Sequence, residues 1–135
     1  MPRARYLLDT NICIYLMKHQ PPQVAERFSR CQVGEVVISA VTAAELEYGV
    51  VASGLDAPRN REALDRFLEE VPVASFDSAA AHAYGPVRWL TRERRRDALD
   101  KLIAAHALSL NVTLVTNNPA DFQAYQGLVI ENWVA

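Results

Sequence analysis

Ala4-Arg5-Tyr6-Leu7-Leu8-Asp9-Thr10-Asn11 is a short apolar run that stops on an acid. Aromatic and aliphatic residues bounded by polar ones read as a buried strand, here over residues 4–9. Val112-Thr113-Leu114-Val115-Thr116-Asn117-Asn118 repeats the arrangement, with a strand over 112–115 and polar residues after it. Working outward, residues 35–39 (EVVIS), 73–76 and 128–130 read as further strands. Helical patterns fill the gaps: 11–18, closed by Pro21-Pro22, then 23–31, then 42–53 with Gly54 as its stop. In 59–70 and just beyond, Leu64, Phe67, Leu68 and Val71 recur at helical spacing. Asp77 or Ser78 caps a helix that Gly85-Pro86 is expected to kink or break. An Ala-rich helix spans 97–110, and Asn118-Pro119 starts a helical turn. Strands alternating with helices predict an α/β sandwich: a mostly parallel central sheet with helices on both faces. Such sheets bind ligands past the carboxyl ends of their strands.

The chain of 135 residues fits a single domain, 1–135. Half of the residues are hydrophobic, but charges interrupt every apolar run, so no membrane span is expected. No secretion signal precedes the first strand, and a cytoplasmic setting is expected, with Cys13 and Cys31 as free thiols. The net charge of −2 does not advertise a polyanion partner. Its distribution says more, because Arg88, Arg92, Arg94, Arg95 and Arg96 crowd into nine residues. Such a stretch can contact phosphates; it can equally be a solvated face with Glu93 as counter-ion.

Four acids stand where a site is expected. Asp9 ends the first strand, and Asp121 follows the 112–115 strand closely. Glu45 sits in the first turn after the second strand, and Asp100 lies early in the Ala-rich helix. Each has a structural alternative. Asp9 can cap the next helix, and Thr42 with Glu45 forms a capping box. Asn118, Pro119 and Asp121 fit the opening positions of a helix. Asp100 is the hardest to dismiss, since Leu102, Ile103, Ala104 and Ala105 follow it and a buried helix seldom carries an unpaired acid. Asp97, about 60° away on that helix, is a further candidate ligand or a dipole partner. Carboxylates that converge repel one another unless a cation sits among them, and an all-oxygen set suits Mg²⁺ or Mn²⁺. The chemistry such an ion serves best is phosphodiester hydrolysis.

Four segments resemble the motifs of VapC-type PIN-domain ribonuclease toxins. They are Leu7-Leu8-Asp9-Thr10-Asn11, Thr42-Ala43-Ala44-Glu45-Leu46-Glu47-Tyr48-Gly49, Asp100-Lys101-Leu102-Ile103-Ala104-Ala105-His106-Ala107 and Leu114-Val115-Thr116-Asn117-Asn118 with Asp121-Phe122 behind it. The ending Gly127 to Trp133 is also similar. The resemblance implies a PIN sandwich and endoribonuclease activity on loops of structured RNA, such as transfer or ribosomal RNA. It implies a cognate VapB-type antitoxin, DNA binding only through that antitoxin, and a homodimer. It carries over Asp9, Glu45 and Asp100 as metal ligands, Asn11 as a neighbour orienting Asp9 or a water, and Thr116 as the hydroxyl ending the fourth strand. Many members have Asp where Asn118 stands, so Asp121 serves as the fourth acid and Asn118 as a neutral ligand or cap. The mechanism implied is in-line attack of a metal-activated water, with Arg88, Arg92, Arg95 and Arg96 holding flanking phosphates.

Other readings compete. A metal-free ribonuclease would use His19, His82 and His106, but His106 lies roughly 240° round the helix from Asp100, and packing or exposure explains all three better. A phosphoacceptor domain wants paired acids near the first strand and a late Lys, and no Lys follows Lys101. An Asp-x-Asp phosphatase is disfavoured by Asn11. A catalytically silent PIN domain acting as an RNA- or protein-binding module remains the alternative. Val50-Val51 with Leu16 and Met17 form either a groove for a partner helix or ordinary core.

Overall fold

In the computed structural model, which describes residues 2–135, the strands are β1 (Tyr6–Leu8), β2 (Val36–Ser39), β3 (Val73–Ala74), β4 (Thr113–Val115) and β5 (Ile130–Glu131). The helices are α1 (Thr10–Lys18), α2 (Pro22–Ser29), α3 (Ala40–Ala52), α4 (Ala57–Glu70), α5 (Ser78–Leu90), α6 (Ala98–Leu110) and α7 (Pro119–Phe122). Successive strand residues point to opposite faces, and the sheet therefore feeds two cores. Tyr6, Leu8, Val36, Ile38 and Val115 pack with Ile12, Leu16, Leu64 and Phe67 from α1 and α4. Leu7, Val37 and Leu114 pack with Val87, Ile103, Ala104 and Ala107 from α5 and α6. Leu7, Leu8, Ile38 and Leu114 have no exposed surface, each worth roughly 1.5–3 kcal/mol of burial.

The strand order is β3-β2-β1-β4-β5, and every pairing is parallel. The order reverses around β1, which pairs with β2 on one side and β4 on the other. A crevice opens past the carboxyl ends at such a reversal. The residues that follow β1 and β4 are Asp9 and Thr116. The order also separates the chain from receiver domains, whose order is 2-1-3-4-5. Among the described residues, no helix is long and apolar enough to cross a membrane.

Two expected local features differ. Helix α3 starts at Ala40, capped by Ser39, whose Oγ accepts from Val41 N at 3.1 Å. Thr42 and Glu45 form no capping box: Thr42 is buried inside the helix, and Glu45 lies in its second turn. Helix α5 continues through Gly85-Pro86. The amide lost at Pro86 is outweighed because α5 packs along α6.

Candidate acidic active site

Asp9, Glu45, Asp100 and Asp121 line one cleft of about 420 Å³ at the carboxyl ends of β1 and β4. Asn11, Arg96, Asp97 and Asn118 line it as well. All four acids of the expected set are thus together, brought in by α1, α3, α6 and α7.

Asp9 is buried and does two jobs. Its Oδ1 accepts from Ile12 N at 3.0 Å and caps α1. Its Oδ2 accepts from Thr116 Oγ1, which in turn accepts from Asn118 N at 3.0 Å. The capping and functional readings of this residue are therefore compatible. Burial pushes the Asp9 carboxyl above its ordinary range, against the bonds from Thr116, Ile12 and Asn11. Glu45 accepts from Thr10 Oγ1 at 2.9 Å. Asn11 is exposed on the cleft, and Asp9 accepts from Thr116 and the Ile12 amide. Asn118 stands at the N-cap of α7 without a side-chain capping bond, and Asp121 lies in that helix's first turn.

Asp100 sits in the first turn of α6, half-buried. Its carboxyl is pushed up to about 6 by desolvation first, then by the charges of Asp97, Asp121, Asp9 and Glu45. Among the described residues, no hydrogen bond offsets those effects. Asp97 is the N-cap residue of α6 and pairs with Arg94, 2.8 Å away, which makes it a counter-ion more than a free ligand.

Among the described residues, no three His, Cys, Asp or Glu side chains stand close enough to chelate an ion without movement. The donor chemistry nevertheless fits a hard divalent cation. The cleft offers carboxylates and the amides of Asn11 and Asn118, no Cys or His among the described residues lines it, and its acids repel one another. His106 is buried elsewhere, edge-on to Phe76, with Nδ1 2.8 Å from Ser39 Oγ. Burial lowers its pKa, and it does not face the acids. Cys13 and Cys31 are free.

Three contributors escape sequence reasoning. Thr10 holds Glu45, although only its place after Asp9 hints at it. Ser39, bonded to His106, ties the α3 cap to α6. Lys101 is buried beside Asp100, and its Nζ donates to Thr91 O at 2.9 Å and to Arg94 O. A lysine in an otherwise apolar stretch was the available signal. Of the arginines, Arg96 lines the cleft, while Arg88, Arg92 and Arg95 are exposed outside its lining. The structure divides the four residues read as either groove or core. Met17 and Val50 line a cavity of about 380 Å³ with Ile14, Leu46 and Leu64, whereas Leu16 belongs to the core and Val51 is exposed.

Residues 6–128 match the PIN domain family. A relative in Shigella flexneri, the tRNA(fMet)-specific endonuclease VapC, is 40% identical over 131 residues, covering 96% of this chain and 98% of the relative. A tRNA(fMet)-specific endonuclease VapC of Salmonella typhimurium is 34% identical, covering 96% and 98%. The solved structure of DNA-bound VapBC from Salmonella typhimurium superposes with a TM-score of 0.87 at 34% identity, covering 96% of this chain and 98% of that one.

Proposed function

The chain belongs to the PIN-domain family as a VapC-type ribonuclease toxin, and from that premise we propose that it cuts a loop of a structured RNA by divalent-metal-dependent hydrolysis at the Asp9, Glu45, Asp100 and Asp121 cleft. The observation that carries this reading is the gathering of four carboxylates from four separate helices and strand ends into one cleft. Mg²⁺ or Mn²⁺ would be held by these acids with Asn118 as a neutral oxygen donor, and such an ion supplies Lewis acidity to the phosphate and lowers the pKa of water.

The chain's own residues divide the remaining work. Thr116 and the Ile12 amide fix Asp9, and Thr10 fixes Glu45, so two carboxylates are oriented before any ligand arrives. Asp100 holds a proton more tightly than an ordinary carboxyl, and a bound cation would favour its ionised form. Arg96 stands on the rim for a phosphate, with Arg88, Arg92 and Arg95 near by in sequence for flanking ones. Two similar relatives are tRNA(fMet)-specific, which makes initiator transfer RNA the first substrate to test and a ribosomal RNA loop the second.

A VapB-type antitoxin completes the reading. Thr10 and Glu45 line both the acidic cleft and the apolar groove beside it, so a partner helix seated on Ile14, Met17, Leu46 and Val50 would lie against the acids. DNA contacts then come through the antitoxin, and the toxin works as a homodimer of one domain, residues 1–135.

The test is cleavage of end-labelled total RNA and purified transfer RNAs by wild type and Asp100→Ala, each with Mg²⁺, Mn²⁺ or chelator. The expected result is discrete metal-dependent cuts leaving 5′-phosphates, absent from the variant. Cuts that persist in chelator and in the variant would rule out this site, and no cut in any RNA would favour a silent binding module.

A further inference from the structure

Among the described residues, arginines outside 88–96 are mostly in ion pairs: Arg5, Arg27, Arg30, Arg59, Arg61 and Arg66 each face a carboxylate. Within the stretch only Arg94 does so. Arg88, Arg92, Arg95 and Arg96 are exposed and pair with no acid among the described residues. In their midst stands an uncovered aromatic. Of the two tryptophans, Trp133 is 4% exposed, packed edge-on to Tyr6 and donating to Glu131. Trp89 is 65% exposed, and Leu90 beside it is 62% exposed.

We propose that Trp89, with Arg92 stacked on it, is a base-stacking platform that grips the single-stranded segment of the RNA next to the acidic cleft. The proposal rests on the nuclease reading above and extends it to substrate recognition.

Three observations support it. The Arg92 guanidinium lies 4.0 Å from the Trp89 ring centroid, and its Nη1 donates to Trp89 O at 2.8 Å. The pair is therefore ordered before binding, and most of the indole remains open. Unpaired guanidinium groups around an exposed ring are the combination that holds single strands, with phosphates on the cations and bases on the π face. The platform is also fixed relative to the chemistry. Loop 91–97 joins the end of α5 to the start of α6, and buried Lys101 clamps it through Thr91 O and Arg94 O one residue from Asp100. Arg96, at the far end of that loop, lines the cleft.

Trp133 is buried, so Trp89 is the tryptophan whose fluorescence a bound strand can quench. A short unstructured RNA and an abasic strand of equal length are titrated in chelator against wild type, Trp89→Phe and Trp89→Ala. The RNA is expected to quench wild type saturably, and Trp89→Phe should lose that signal. Trp89→Ala should bind the RNA about 5- to 100-fold more weakly, while its affinity for the abasic strand is unchanged. In cleavage it should raise KM and leave kcat intact. Unchanged RNA affinity in Trp89→Ala with no quenching in wild type overturns the platform but leaves the nuclease standing if wild type still cuts. Shielding of Trp89 that grows with protein concentration and ignores RNA also overturns it and assigns the patch to protein contact. A wild type that neither binds nor cuts RNA removes the nuclease reading itself.

Discussion

Asp100→Asn is expected to make the metal-free protein more stable while abolishing cleavage. The Asp100 carboxyl sits at about 6 in the fold against an ordinary value of 3.8. Between those values the folded state keeps a proton that the unfolded chain has lost. Stability therefore falls as pH rises through that window, and the whole cost is present by pH 7. The rise corresponds to at most about 3 kcal/mol. The group is only half-buried and its neighbours are partly solvated, which cuts the figure to about 1–1.5 kcal/mol. For a domain of this size that is roughly 3–5 °C in Tm. Thermal unfolding in chelator from pH 3.5 to 8 reads it. The variant should match wild type below pH 4, gain between 4 and 6, and hold its lead above 7. Saturating Mg²⁺ should reverse the order, since a ligand at 100 times its Kd adds about 2.7 kcal/mol to the protein that binds it. A variant no more stable than wild type in chelator at pH 7.5 would refute the idea that the acids strain the empty cleft.

Thr116→Val removes the hydroxyl that serves Asp9 and Asn118, and should cost about 1–2 kcal/mol of stability. Mn²⁺ affinity by calorimetry should fall about 10- to 100-fold; unchanged affinity would mean Asp9 needs no such support. His106→Phe breaks the link between the Ser39 cap of α3 and helix α6, and should lower kcat and Mn²⁺ affinity together. His106→Asn, which can still meet Ser39, should restore part of both, and a purely packing role would show the opposite ranking. Lys101→Met leaves Thr91 O and Arg94 O without their donor, at a cost of about 1–3 kcal/mol. Trypsin should then nick loop 91–97 faster than in wild type, and equal rates would show that the clamp does not order the loop.

The sheet was legible where an apolar run ends on a polar residue, as at Leu8-Asp9 and Val115-Thr116. The acids were legible as a set through their order along the chain. What escaped depended on contacts between distant segments. Ser39 and Thr42 are equally good caps in isolation, and only the end of β2 decides between them. Pro86 reads as a break until α6 is laid along α5. That Thr116 bonds Asp9 could not be read along the chain, because it arrives from β4, a strand distant in sequence and adjacent in the sheet. The apolar residues of α1 and α3 could not be sorted into core and groove without knowing how α4 covers them, which buries Leu16 and leaves Met17 and Val50 lining the groove.

The cleft is half pinned, and the division has a physical reason. Asp9 and Glu45 accept hydrogen bonds that hold a carboxylate in place against its neighbours' charge. Among the described residues Asp100 accepts none, so repulsion acts on it undiminished, and it is the acid that keeps its proton up to about pH 6. With a carboxyl at about 6, Asp100 escapes the repulsion by protonating below that pH and carries it at neutral pH until a cation is present. Below about pH 6 cation binding is coupled to proton release. Affinity for Mn²⁺ should therefore rise by about tenfold per pH unit below pH 6 and level off above pH 7. Asp100→Asn should flatten the curve as well as lower it. Calorimetric titrations from pH 5 to 8 in two buffers of different ionisation enthalpy count the protons released. A flat profile in wild type would mean that some other group takes up the strain.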